Sequence, residues 1–287
     1  MPHGSIVDTH LHLWDPKRLR YGWLDGNDVL DRPYLLDDYN AATKGLDIQA
    51  MVFLQCEVEP SQYQLEADWV ADLARHDPRI KGMVTWAPLE KGRAVLPELQ
   101  NLARHPILRG IRRIIQFEPD LDFCLRPDFI EGVRTLAELG LSFDICIDHR
   151  HMANVLKFAA QVPNVPMILD HIGKPAIKDG VMEPWASQMR ELAALPHVSC
   201  KISGVATEAD HANWSEDELK RYIDAAIDAF GFDRIMFGGD WPVAVQAIDY
   251  QRWVGLLDRI LASASPAEQK KFWRDNAVRF YRLENVL

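Results

Sequence analysis

Cysteine is scarce in this chain and unpatterned. Cys56, Cys124, Cys146 and Cys200 lie far apart and form no CxxC pair. Nothing suggests a disulfide framework, so a reducing compartment is expected. Cys146 and Cys200 sit in apolar, strand-like runs and read as buried structural thiols. Long apolar runs are also lacking: no stretch approaches the ~20 residues of a membrane span. The opening MPHGSIVDTH has neither an apolar signal-peptide core nor a cleavage site. Clustered basic residues are missing, and the formal net charge is −10. That argues against a broad nucleic-acid surface and gives no reason to expect an anionic membrane as partner. No glycine-rich phosphate turn follows the first apolar run, which ends Thr9-His10-Leu11-His12. No low-complexity linker or shift in composition marks a domain boundary. These absences leave a cytoplasmic enzyme acting on a small molecule as the expectation. Oligomeric state is left open, a homo-oligomer included.

What is present is alternation. Hydrophobic residues make up 48% and charged residues 26% of the 287, an ordinary globular balance. Short β-branched runs give way repeatedly to longer segments with helical periodicity. Strands are predicted at Ser5–Thr9, Gln49–Leu54, Ile80–Trp86, Leu108–Ile115, Ser142–Ile147, Pro166–Leu169, Val198–Ile202 and Ile235–Phe237. Helices are predicted near Leu35–Gly45, Ser61–His76, Arg93–Arg104, Pro127–Leu139, Met152–Gln161, Glu183–Leu195, Ser215–Phe230 and Tyr250–Leu261, with a closing helix at Pro266–Tyr281. Strands separated by helices imply a parallel sheet. Eight such units suggest closure into a (β/α)8 barrel, which takes about 250 residues and so accounts for residues 1–287 as a single α/β domain.

In such a barrel, polar residues placed where strands end read as catalytic. Strand one offers His10 and His12, strand two Gln55 and Glu57, strand three Trp86, and strand four Arg112, Arg113 and Gln116. Strand five offers Asp148 and His149, strand six Asp170 and His171, strand seven Lys201 and Ser203, and strand eight Asp240 followed by Trp241. In extended chain, residues two apart point the same way, so His10 and His12 can face the mouth together and make half of a zinc-type site. The bland alternative is two histidines hydrogen-bonded in a polar loop. Asp240, after Gly238 and Gly239, could bind a metal or accept a proton from water, or could simply cap the next helix. His171 could be a ligand, a general base or a satisfied core histidine. Arg112 and Lys201 are cations within apolar strands; they would meet substrate oxygens, or pair internally with Asp170 or Asp240. Arg112 and Arg113 point to opposite faces, so only one can be inside. Trp14, Trp86 and Trp241 could wall a ring substrate, with core packing an equal reading for Trp86. Asp148 and His149 keep an open role.

Taken in order, Thr9-His10-Leu11-His12, Gly110-Ile111-Arg112, Leu169-Asp170-His171-Ile172-Gly173-Lys174-Pro175, Lys201-Ile202-Ser203-Gly204 and Phe237-Gly238-Gly239-Asp240-Trp241-Pro242 span essentially the whole chain. The sequence resembles the amidohydrolase superfamily. More narrowly, it resembles the lactonase branch that holds sugar-acid lactonases such as L-fuconolactonase and L-rhamnonolactonase, and 2-pyrone-4,6-dicarboxylate lactonase. The resemblance implies a distorted (β/α)8 barrel and hydrolysis of a lactone to the free acid. It matches His10 and His12 to the strand-one pair, His171 to the strand-six histidine and Asp240 to the strand-eight aspartate. Strand four carries arginines where better-known members place a carboxylated lysine or a histidine, which argues against a binuclear centre. Some members of the branch work without metal, so the resemblance leaves one Zn2+, or none, held by His10, His12, His171 and Asp240.

On this reading Asp240 takes a proton from water as general base. His171 assists, and Arg112, Lys201, Trp14 and Trp241 hold the substrate. A dicarboxylate-pyrone lactonase would need more cations in the mouth, whereas a sugar lactone suits the tryptophan-rich loop His12–Tyr34. A metal-dependent decarboxylase on the same barrel is the nearest rival, and a non-enzymatic binding protein is disfavoured by so many acid–base groups at one end.

Overall fold

In the computed structural model, which describes residues 4–284, the alternation becomes one parallel sheet of eight strands in sequence order. The strands are β1 Ile6–Leu11, β2 Ile48–Leu54, β3 Ile80–Thr85, β4 Leu108–Ile111, β5 Ser142–Ile145, β6 Met167–Leu169, β7 Val198–Ile202 and β8 Ile235–Phe237. The intervening helices are α1 Leu36–Ala42, α2 Tyr63–His76, α3 Leu96–Leu102, α4 Pro127–Arg134, α5 Met152–Gln161, α6 Trp185–Ala193, α7 Glu216–Phe230 and α8 Tyr250–Ile260. No helix among the described residues is long and apolar enough to cross a membrane.

The longer helices cover the barrel with one apolar stripe each. In α7 the buried residues Leu219, Tyr222, Ile223, Ala226 and Phe230 recur at helical spacing. Ser215 caps its start by accepting from the Glu218 amide at 3.2 Å, and Gly231, at φ 66°, ends it. The strands, enclosed on both faces, are nearly continuous apolar runs, as parallel sheets require. β4 and β5 stop short of the predicted Ile115 and Ile147 because the chain beyond Ile111 and Ile145 leaves the ladder to shape the barrel mouth. The predicted closing helix is broken into α9 Pro266–Lys270, a π-helical turn Lys271–Asp275 and α10 Asn276–Phe280.

β1 and β8 close the barrel at the mouth. Leu11 and Trp241 form a parallel bridge, and the His12 amide donates to the Trp241 carbonyl at 2.8 Å. Thr9 Oγ1 donates to the Phe237 carbonyl at 2.5 Å. Asp8 is buried beneath this seam. Its Oδ1 accepts from the Gly239 amide at 2.8 Å and its Oδ2 from the Tyr39 and Tyr250 hydroxyls, each at 2.9 Å.

The register decides what faces inward. Asp8 pairs with Met51 and Leu11 with Phe53, so β1 uses one more residue than β2 over this stretch. Such a bulge reverses the side-chain alternation. Before it, Val7 packs into an apolar cluster with Val52, Val84, Ile168 and Met236, closed from below by Tyr281 and Leu283. After it, His10 and His12 turn into the barrel and Leu11 joins the outer core. An apolar floor therefore lies under a layer of polar and charged side chains: Asp144, Asp170, Lys201, Arg112 and His10, all buried.

Candidate active site

The strand ends converge on Asp240. Its Oδ1 lies 3.7 Å from His10 Nε2 and 3.6 Å from His12 Nε2. Asp240 is 3% exposed, His12 4% and His10 0%, so these polar atoms meet in a nearly dry place. The ring tautomer of His12 follows from its partner. Nδ1 is 2.9 Å from the Leu54 carbonyl and must donate to it, which turns the unprotonated Nε2 toward Asp240. Burial, reinforced at His10 by the charges of Lys201 and Arg112, holds the imidazoles of His10, His12 and His171 below their usual basicity. Burial alone would raise the Asp240 carboxyl. Its interactions with His171 and His12 and the charge of Lys174 reverse that and hold it below the usual carboxylate range. The centre is thus neutral imidazole around an anionic aspartate.

His171 sits on a left-handed residue (φ 53°) in the turn Asp170–Gly173, which swings its ring off β6 toward the mouth. Its Nδ1 is 2.9 Å from Ser203 Oγ and 3.9 Å from Asp240 Oδ2. If the Ser203 hydroxyl donates to Nδ1, Nε2 carries the proton and can donate into the cavity. Asp240 is itself left-handed (φ 51°). The backbone at Gly204 is pressed against both groups. A Cβ there would fall 2.5 Å from His171 Nδ1 and 2.8 Å from Asp240 Oδ2, at a positive φ of 57°. Gly238 makes room likewise, since its Cβ would lie 2.8 Å from His10 Cβ.

Arg112 reaches in from the end of β4. Its Nη1 is 3.1 Å from His10 Nε2 and 3.3 Å from Asp170 Oδ2, and its Nη2 donates to the Gln55 carbonyl at 2.5 Å. Arg113, on the opposite face, pairs with Glu118 and Glu90. Lys201 does not reach the mouth. It is fully buried between Asp144 (2.7 Å) and Asp170 (2.9 Å), so the internal salt bridge and not a substrate takes its charge. Burial opposes ionisation of both carboxyls. The charges of Lys201 and Arg112 overcome it at Asp170, while at Asp144 burial prevails and the carboxyl is raised.

A cavity of about 160 Å³ opens over this centre, with His12, His171, Asp240 and Arg112 in its wall. The two tryptophans expected to hold substrate lie elsewhere. Trp14 is fully buried, donating from Nε1 to the carbonyls of Leu30 and Arg32 at 3.2 and 2.9 Å. Trp241 packs on Tyr34 and Tyr39. Both pack beneath the long first loop because their indoles stack edge to face on its Tyr34, and Trp241 also on Tyr39 of α1. The aromatic residues that reach the cavity are Trp23, fixed by a 2.7 Å bond from Nε1 to the Cys56 carbonyl, and the exposed Phe117. Trp86 packs against Tyr63. Asp148 caps the turn that follows it, and His149 binds the Lys174 carbonyl. Cys146 is buried, as expected, but at the cavity wall, where Cys56 and Lys174 also appear. Lys174 was legible only as part of the DHIGKP run, and nothing in spacing alone marked it.

The donor set suits a cation. The lone pairs of His10 Nε2 and His12 Nε2 and a carboxylate oxygen of Asp240 converge within 4.8 Å of one another. Electron pairs so directed repel unless a proton or a metal ion lies between them. His171 does not join this trio; it groups instead with His10 and Asp170.

The amidohydrolase family matches the chain from residue 7 to residue 283. The chain belongs to the amidohydrolase family. Among curated amidohydrolase relatives, an L-fucono-1,5-lactonase of Burkholderia multivorans is 35% identical over 96% of each chain. An L-fucono-1,5-lactonase of Burkholderia ambifaria is 31% identical over 97% of this chain and 96% of its own. A crystal structure of a Burkholderia multivorans amidohydrolase with bound zinc superposes with a TM-score of 0.87 at 33% identity, covering 97% of this chain and 99% of that one. This amidohydrolase is accordingly a hydrolase built on a (β/α)8 barrel.

Proposed function

We propose that this amidohydrolase hydrolyses a sugar-acid lactone to the free aldonic acid, with Asp240 as general base. One observation carries the reading: a buried, anionic Asp240 faces neutral imidazoles at the floor of a cavity large enough for a small ring. The names of the two relatives direct the choice of substrate toward L-fucono-1,5-lactone and its stereoisomers.

The residues then divide the work. Asp240 takes a proton from a water held at its exposed edge, and the water oxygen bonds to the lactone carbonyl carbon. His171 Nε2–H donates toward the carbonyl oxygen, and the positive charge of Arg112 stabilises the negative charge that gathers there. As the ring C–O bond breaks, the proton returns from Asp240 to the departing ring oxygen. His10 Nε2, His12 Nε2 and Asp240 would hold one Zn2+, which when bound supplies Lewis-acid polarisation. This substrate class would place the protein in carbohydrate metabolism.

The test is acid release, followed with a pH indicator, from a panel of aldonolactones and pyrone lactones. Wild type should turn over an aldonolactone, and a folded Asp240→Asn variant should lose turnover by at least about a thousandfold. Near-normal rates in that variant would remove Asp240 as the base. Silence of the wild type on the whole panel, with and without zinc, would remove the lactonase reading and favour decarboxylation.

A further inference from the structure

We propose that Lys174 is a catalytic residue of this site, binding the lactone carbonyl oxygen as it gains charge and then the carboxylate of the product. The inference rests on the lactonase reading above and adds to it the group that carries the anionic end of the reaction.

Lys174 follows the turn Asp170–Gly173 in a left-handed conformation (φ 47°). Its backbone is held from both sides. The amide donates to the His171 carbonyl at 2.9 Å, and its carbonyl accepts from the His149 amide at 3.2 Å and lies 3.3 Å from His149 Nδ1. The loops after β5 and β6 thus fix where the side chain starts. From there it lines the cavity beside His171 and Asp240.

The ammonium is charged and only loosely paired. Its facing carboxylate, Glu208 Oε1, stands 3.7 Å from Nζ, an ion pair too long for a hydrogen bond. The side chain is 20% exposed, enough to meet a ligand and little enough for its charge to be felt strongly. Burial works against that charge, but the groups around it, Cys146, Glu208 and Asp240, outweigh both burial and the repulsion of Arg112, and the ammonium is held above its usual basicity. The other two cations near the centre are already engaged. Arg112 gives its donors to His10, Asp170 and the Gln55 carbonyl, and Lys201 is sealed between Asp144 and Asp170.

Hydrolysis of a lactone creates negative charge at one place. Water adds to the carbonyl carbon, and its proton goes to Asp240. The carbonyl π pair moves onto oxygen. That pair collapses as the ring C–O bond breaks, and the ring oxygen takes the proton from Asp240. The product acid then releases its proton to solvent and leaves as a carboxylate. An ammonium beside Asp240 and His171, held only by the long ion pair to Glu208, complements that oxygen at both stages, whereas a sugar hydroxyl would make less use of its charge.

The experiment compares wild type with Lys174→Met and Lys174→Arg. Turnover is measured on the aldonolactone panel, and binding of L-fuconate and of the uncharged analogue L-fucitol is measured by calorimetry. Lys174→Met should lower kcat by about a hundredfold with a smaller change in KM. It should weaken L-fuconate by about tenfold or more and leave L-fucitol within a factor of about two. Lys174→Arg, which keeps the charge, should recover part of both losses, and it serves as the folded control should the methionine variant prove unstable. An active wild type beside a folded Lys174→Met variant with unaltered kcat overturns this inference alone. So does equal weakening of L-fuconate and L-fucitol, which would make Lys174 a hydroxyl binder. A wild type inactive on every lactone removes the lactonase reading and this inference with it.

Discussion

Arg112 Nη1 stands 3.1 Å from His10 Nε2, the same nitrogen that lies 3.7 Å from Asp240. A guanidinium therefore shares the lone pair that a metal ion would take. The two cations compete, by occupation of the nitrogen and by charge.

Removing that competitor should strengthen metal binding. Arg112→Met is expected to tighten zinc at the His10–His12–Asp240 trio by about tenfold or more, near 1.4 kcal/mol. The measurement is a zinc titration against a chelator of known affinity. Unchanged or weaker zinc binding in a folded variant would show that Arg112 does not guard the site.

Gly204 makes a second prediction, through space alone. Gly204→Ala places a methyl 2.5 Å from His171 Nδ1 and 2.8 Å from Asp240 Oδ2, at a positive φ. Both the His171 imidazole and the Asp240 carboxylate must move, and displacement of about 1 Å at a reacting centre costs on the order of a hundredfold in rate. The strained backbone should also destabilise the fold by about 1–3 kcal/mol. A variant that keeps wild-type kcat would mean that neither His171 nor Asp240 needs its present position.

Lys201 separates structure from chemistry. It is buried between Asp144 and Asp170, and Tyr281 Oη donates to Asp144 at 2.7 Å from below. Lys201→Met would leave the buried Asp144 without a cation and Asp170 with Arg112 alone, a change that typically costs about 3–5 kcal/mol. Urea denaturation should show that loss. A loss below about 1 kcal/mol together with a raised KM would instead restore Lys201 as a substrate contact.

Glu66 should give the protein a pH-dependent stability. It is fully buried behind Cys56, with Oε1 accepting from the Cys56 amide at 3.2 Å. Burial pushes its carboxyl from 4.5 up to about 8, the nearby charge of Glu57 adding to the shift. The folded protein therefore keeps the proton that the unfolded chain gives up. Stability from this group is complete below about pH 4.5 and is lost as pH rises to about 8. At roughly 1.4 kcal/mol per pKa unit the loss has an upper bound of about 5 kcal/mol. Thermal melts between pH 5 and pH 8 should fall more steeply for wild type than for Glu66→Gln. Parallel curves would mean that the Glu66 carboxyl is ionised in the fold.

The strand ends were legible because barrel chemistry sits where apolar runs stop. His10, His12, His171 and Asp240 announced themselves as imidazoles and a carboxylate at such points, and the structure gathers them within a few ångströms. The roles of the larger side chains were not legible. Trp14 and Trp241 stand beside site residues in sequence, yet their indoles turn into the loop core, while Trp23 and Lys174 turn into the cavity. Sequence adjacency places a Cα; packing against neighbours distant in the chain chooses the direction of the side chain.

The sequence by itself determined the order of eight strands and their helices, because periodicity and caps are local. It determined too that His10 and His12 share a face, because residues two apart in extended chain must. Only the tertiary structure decided which face. Val7 and the two histidines stand at odd and even positions of one short strand, and both have to point inward, one to the apolar floor and the others to the mouth. The extra residue that β1 inserts against β2 between Asp8 and Leu11 reverses the alternation and permits both. That bulge exists only in the pairing of two strands and is held by Asp8, whose carboxylate binds the Gly239 and His10 amides across the closing seam.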